Sequence, residues 1–192
     1  MELLKAAGGE YAQRDYCMLV LLLNCGLRRA EVASINLRDI GDDNTLRIRG
    51  KGSKERMIYL NDACRTAIAE YLKVRPKDGV ADKEALFLSK NKKRISLQGI
   101  HFVIKGYLKQ IGLEDLSTHK LRHTAATLMY QQGGVDLLVL KELLGHKNLG
   151  TTEIYTHTSS EQLRRAASAS PLSGVKPPKR KKSDENNEEG TE

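Results

Sequence analysis

Six residues spread along the chain have types suited to a single chemistry: Arg28, Lys51, His119, Arg122, His146 and Tyr155. Two guanidiniums, an ammonium, two imidazoles and a phenol are what a protein hydroxyl needs to cleave a phosphodiester. Attack on phosphorus builds negative charge on the non-bridging oxygens and on the departing oxygen. A guanidinium fork matches two phosphate oxygens at once, so Arg28 and Arg122 are the candidates for the first demand. The leaving 5′-oxygen needs a proton, which a lysine on a mobile hairpin turn can deliver: Lys51, within Gly50-Lys51-Gly52-Ser53. The candidate nucleophile is Tyr155, a phenol that with a pKa near ~10 is neutral at physiological pH. It therefore needs a base, and His119 is the natural acceptor. His146, upstream of Tyr155, would hydrogen-bond the phosphate and share in handling protons. Preorganised donors of this kind supply the largest part of most catalysis.

Each of these residues also has a plainer reading. Arg28 follows a buried helix and a Gly-Leu pair, where arginine is commonly a surface or salt-bridged residue. Glu31 is a partner that could hold either Arg28 or Arg29. Lys51 in a Gly-rich turn is commonly solvated, and Arg47, Arg49, Lys54 and Arg56 read as phosphate-tracking or solvated charges. His119 and His123 share a helix face, but Lys-Leu-Arg lies between them, without the glutamate of the HExxH zinc motif or a third ligand. No metal is expected, and His123 reads as a buried, hydrogen-bonded histidine. Tyr155 is one of seven tyrosines, so the joint pattern carries the argument.

The elements that must position this set can be read along the chain. Residues 11–25 predict a helix buried on most sides, stopped by Gly26. A short helix follows from about Arg29, with Val32, Ile35 and Leu37 turned inward. Asp42-Asp43-Asn44 is turn chemistry. Strict alternation over Thr45–Arg49 predicts a strand, and Arg56–Leu60 returns as its partner after the flexible Lys51 turn. Asn61 or Asp62 caps a helix over 62–74. A polar loop spans 76–83, and Leu86-Phe87-Leu88 reads as a third short strand. Further helices are expected over 96–111, 119–132, 136–144, 150–156 and 160–169. The expected fold is mainly α with a small antiparallel β-sheet (α+β), in one domain over 1–170, followed by a disordered charged tail over 171–192.

Charge and composition agree with that outline. The chain has 192 residues, no Trp and two Phe, so its core must be aliphatic. The net charge of +8 lies wholly on residues 1–170, because five basic and five acidic residues cancel in 171–192. A basic folded body suits a polyanion surface better than a basic tail would. Cys17, Cys25 and Cys64 form no CxxC pair, and Cys17 and Cys25, in apolar surroundings, read as reduced core residues, consistent with the cytoplasm. The longest apolar run, Cys17 to Leu23, is too short to cross a bilayer, and the N-terminus does not read as a signal peptide.

Four segments in order, NCGLRRAEV, RGKGSKER, HKLRH and ELLGHKNLGTTEIYTH, resemble the motifs of the tyrosine recombinases, the phage-integrase and Xer family. The resemblance covers about residues 10–160 and fills all six motif positions with the expected residue type. It implies the catalytic-domain fold and the assignments Arg28, Lys51, His119, Arg122, His146 and Tyr155. It also implies cleavage and rejoining of double-stranded DNA through a 3′-phosphotyrosyl intermediate, with no cofactor and no metal ion. A tetramer on two DNA sites is implied too, with the amphipathic stretch Gln162 to Ala169 as the segment that docks on a neighbour. The family normally carries an N-terminal helical domain that clamps DNA, whereas the first motif here begins barely one helix after Met1. Thr118 stands where proline is frequent in relatives. A prokaryotic, nucleoid-associated location in the cytoplasm follows from the family. A type IB topoisomerase uses similar residues, and a non-catalytic DNA-binding fragment regulating a full-length recombinase shares the charge. Both are the competing readings.

Overall fold

The computed structural model describes residues 2–50, 55–136, 139, 140, 144 and 160–177. Helix α1 (Glu2–Lys5) leads into α2 (Ala12–Cys25), whose residues from Arg14 to Cys25 are all buried. This helix has apolar residues on every face, so it forms the axis of the fold. Leu19, Leu21 and Leu22 are at most 1 % exposed, and burial of each such side chain contributes roughly 1.5–3 kcal/mol. Its two charged members pair inside: Arg14 Nε donates to Asp15 at 2.7 Å, and Arg14 Nη1 to the Leu88 carbonyl at 2.9 Å.

Gly26 ends α2 in the left-handed conformation, at φ 56°, as a helix-stopping glycine does. The short helix α3 (Arg29–Ser34) and a 3-10 turn over Leu37–Asp39 follow. Val32 and Ile35 are buried as expected, and Leu37 packs against the core from a half-buried position. Strands β1 (Thr45–Arg49) and β2 (Glu55–Tyr59) pair antiparallel from Thr45↔Tyr59 to Arg49↔Glu55. Asn61 caps α4 (Asp62–Val74), its side chain accepting from the Cys64 amide at 3.1 Å. Ser96 caps α5 (Leu97–Gln110) in the same way through Gly99, and α6 spans Thr118–Gln131. The last described helix is α7 (Ser160–Ser168). The expected helices over 136–144 and 150–156 fall largely outside the described residues.

Two expectations need correction. Leu86-Phe87-Leu88 is not a strand: the segment makes only isolated bridges beside it, Asn36↔Ala85 and Leu88↔Arg94. Its backbone bonds go to different partners, Leu86 N to the Ile35 carbonyl and Leu88 N to the Tyr71 hydroxyl, so no ladder forms. Arg75 and Arg94 organise this connection, Arg75 by donating to the carbonyls of Pro76, Lys83, Ala85 and Leu86. Arg94 donates to the carbonyls of Ala33 and Ile35 and to Asp82. The second concerns residues 171–177, which the sequence reading put in the tail. Leu172 is buried in the main core, Val175 packs on it, and the Ala63 amide donates to the Ser173 carbonyl at 2.9 Å. Residues 178–192 lie outside the described set.

The main core gathers α2, the hairpin, α4 and α5. A smaller cluster of Met129, Val135, Val139, Leu140, Leu144 and Ala166 joins the end of α6 to α7. The three cysteines are free and buried, with Cys25 and Cys64 sulfurs 3.7 Å apart.

Candidate active site

Two of the six candidate residues, Arg28 and Arg122, meet at the end of α2. The left-handed Gly26 turns the chain so that Leu27 enters the core and Arg28 becomes the N-cap of α3. A side chain at position 26 would meet the tip of Leu144, which must move to admit it, but the turn demands glycine first by conformation. Glu31, in the first turn of α3, reaches back to accept from the Arg28 amide at 2.8 Å, as the acid of a capping box does. It also accepts from Arg28 Nη1 at 3.0 Å. Arg122, only 8 % exposed on α6, donates to the Gly26 carbonyl through Nη1 and to the Leu144 carbonyl at 2.5 Å through Nη2.

The electrostatics follow from that packing. Burial, and then the positive charge of Arg28, push the Arg122 pKa down to about 10, with Glu31 acting in the opposite sense. Arg122 therefore remains a cation at neutral pH. Burial alone would raise the Glu31 carboxyl, but hydrogen bonds from Arg56 and from the Arg28 amide more than reverse it, and its pKa is lowered.

His119 lies in the first turn of α6, one turn before Arg122, and is exposed. His123 is exposed as well, which corrects the expectation of a buried histidine. The inner face of α6 is made by Leu121, Arg122, Ala125 and Met129, and the 119/123 face looks outward. Among the described residues, no group of three or more His, Cys, Asp or Glu comes together as metal ligands would. Lys51, His146 and Tyr155 lie outside the described residues. The hairpin that carries Lys51 is described up to the Arg49↔Glu55 pair.

The residue that sequence reasoning missed is Arg56. It does not track solvent: Nη1 and Nη2 grip both Glu31 oxygens, at 2.8 and 3.1 Å. Period-two alternation holds the signal, because Arg56 shares a strand face with the buried Ile58. Arg49 is likewise engaged, donating to the buried Asp39 at 2.9 Å and to Glu55 at 3.1 Å.

The stretch expected to dock on a neighbouring subunit packs on its own chain here. Ala166 and Ala167 are buried, Leu163 lies against the smaller core cluster, and the Arg164 guanidinium sits 5.2 Å from the Tyr59 ring centre. No described helix is long and apolar enough to cross a membrane.

Comparison with known proteins agrees with this architecture. The model of the phage integrase family matches residues 1–162. A tyrosine recombinase XerC from Caldanaerobacter subterraneus subsp. tengcongensis is 55 % identical over 174 residues, covering 90 % of this chain and 49 % of the relative. A XerC from Psychromonas ingrahamii is 40 % identical over 152 residues, covering 78 % of this chain and 50 % of the relative. The chain thus spans about half the length of these curated relatives. Among solved structures, XerA recombinase superposes with a TM-score of 0.69 at 28 % identity, over 85 % of this chain and 59 % of that one. XerH bound to a palindromic difH substrate, in a post-cleavage complex, gives 0.66 at 28 % identity, over 87 % and 50 %.

Proposed function

Because the chain belongs to the phage integrase family, the tyrosine recombinases, we propose that it is the catalytic domain of a site-specific DNA recombinase. The observation that carries this reading is the junction of Arg28 and Arg122 at Gly26. It joins two cations from distant motifs at one place, beside a helix turn bearing His119. Such a pair is what a phosphodiester in the transition state calls for.

In the proposed mechanism Arg28 and Arg122 hold the non-bridging oxygens of one DNA phosphate. His119 accepts the Tyr155 proton as the phenolic oxygen attacks phosphorus, and His146 hydrogen-bonds the phosphate. The bond to the 5′-oxygen breaks, and Lys51 gives that oxygen a proton. The products are a 3′-phosphotyrosyl link and a free 5′-hydroxyl. A 5′-hydroxyl from a second duplex then attacks the link by the reverse route. The bond energy is kept in the phosphotyrosine, so neither ATP nor a metal ion takes part.

The proposed partner is double-stranded DNA, in the cytoplasm and at the nucleoid, with four subunits assembled on two sites. In that assembly α7 would exchange its packing on its own chain for the same packing on a neighbour.

A nicked suicide duplex carrying a candidate site, followed on denaturing gels, tests the reading. A covalent adduct that depends on the site and is lost in Tyr155→Phe supports it. Relaxation of supercoiled plasmid without site preference would point to a type IB topoisomerase. Salt-sensitive binding without any adduct would point to a non-catalytic DNA-binding fragment.

A further inference from the structure

We propose that Arg56 is a positioning residue for Arg28: it takes up the charge of the buried Glu31 carboxylate, so that Arg28 keeps its positive charge in excess for a DNA phosphate. The proposal rests on the reading of Arg28 as a phosphate-binding group.

Glu31 is 3 % exposed and lies between the two guanidiniums. Arg56 meets it fork to fork, one nitrogen on each oxygen, whereas Arg28 Nη1 reaches Oε1 from the side at 3.0 Å. The two arginines are also enclosed differently, Arg28 with 41 % of its side chain exposed and Arg56 with 19 %. The more enclosed cation thus makes the two-point guanidinium contact, and the more exposed one meets the carboxylate through a single guanidinium nitrogen. A forked contact with a carboxylate uses the same edge that would grip a phosphate. Arg56 is therefore spent inward.

The charge balance explains why a second cation is needed. A buried carboxylate that loses one of its cations draws harder on the one left, because an under-paired buried charge is costly. With Arg56 present, two guanidiniums face one carboxylate, and a net positive charge remains beside Arg122. Without Arg56 the Arg28–Glu31 pair is neutral. The location adds a mechanical consequence. Arg56 is on β2, the return strand of the hairpin that carries Lys51, and Glu31 is on α3, which Arg28 caps. One ion pair between these residues ties the two elements together.

The test uses the full chain, with Arg56→Gln, Arg56→Lys, the double variant Glu31→Gln/Arg56→Gln, and Arg65→Gln as a remote control. The first readout needs no DNA: the Nε–Hε resonance of Arg28 in an arginine-labelled sample. It should move in Arg56→Gln and stay in place in Arg65→Gln. An unmoved Arg28 signal overturns the proposal whether or not the protein cleaves DNA. The second readout is the single-turnover rate of adduct formation against duplex concentration. Arg56→Gln should lower the saturating rate by about tenfold or more and leave half-saturation within about twofold. Arg56→Lys, which keeps the charge, should recover most of that rate. The double variant should form adduct at least about fivefold faster than Arg56→Gln alone, because the carboxylate no longer captures Arg28.

A structural role alone would not give that rescue, and its absence overturns the proposal. A shift in half-saturation with the saturating rate intact would make Arg56 a DNA contact, which also overturns it. If the parent chain forms no adduct, the proposed function fails, and the Arg28 resonance still decides the role of Arg56.

Discussion

Arg122 Nη1 donates to the carbonyl oxygen of Gly26, joining two residues 96 positions apart in the chain. The bond fixes a guanidinium from α6 against the turn that presents Arg28, so the geometry of both arginines depends on one glycine. Arg122→Ala would leave the Gly26 and Leu144 carbonyls without this donor in a buried place. Loss of such a charge-assisted pair costs about 1.5–3 kcal/mol. Urea denaturation should show that loss. Arg122→Lys, a point charge without a fork, should recover only part of it.

Gly26→Ala forces a side chain into a left-handed turn and onto Leu144. Conformation alone costs about 1–2 kcal/mol for a residue with a Cβ, and the tip of the Leu144 side chain must also shift to admit the methyl. Stability in urea should fall by more than the conformational cost. At temperatures where the variant is still folded, adduct formation should fall further than stability does, because Arg28 and Arg122 both pivot on this residue.

Glu31 confers a pH dependence whose sign can be worked out. Its carboxyl pKa is lower in the folded chain than the ordinary 4.5. A depressed carboxyl contributes stability that is present above the unfolded pKa and is lost as pH falls through the folded one. Glu31→Gln should therefore be less stable than the parent near neutrality, and its stability should fall less steeply in acid below pH 4.5. Denaturation curves at a series of pH values measure this. Parallel curves for the two proteins would contradict the ion-pair account.

Asn24 holds the segment after α7 in place. Its Oδ1 accepts from Asn61 Nδ2 at 2.9 Å and from Ser170 Oγ at 2.8 Å, and Asn61 Nδ2 also reaches the Ala167 carbonyl. Asn24→Ala leaves buried donors under-satisfied, at about 1–3 kcal/mol. Limited proteolysis should then cut between residues 168 and 177 earlier than in the parent. Unchanged cleavage there would mean that Leu172 and its apolar neighbours hold the segment alone.

Much of this fold was legible in the sequence because local chemistry set it. Alternation in β1 and the glycine-rich turn after it gave the hairpin, with β2 displaced by one residue, and Asn61 and Ser96 marked their helix starts through side-chain caps. The aims of the arginines were not legible. Arg14, Arg94 and Arg122 donate to backbone carbonyls far along the chain, Arg75 to those of the connection that follows it, and a sequence gives a cation without its direction. Leu86–Leu88 has strand composition, but its burial on all sides comes from irregular bonding that no periodicity reports. The outward face of His123 was readable in principle, since Leu121, Ala125 and Met129 already fill the inner stripe of α6. Arg28 and Arg122 were found as types at motif spacings; their meeting at Gly26 is a tertiary fact.

Peptide mapping of the trapped adduct tests the central claim most directly. After nuclease and protease digestion, mass spectrometry should find the residual nucleotide on the peptide containing Tyr155 and on none of the other six tyrosines among the seven. The cleaved duplex should carry a free 5′-hydroxyl. A nucleotide on any other residue, or a 5′-phosphate at the break, would contradict the account.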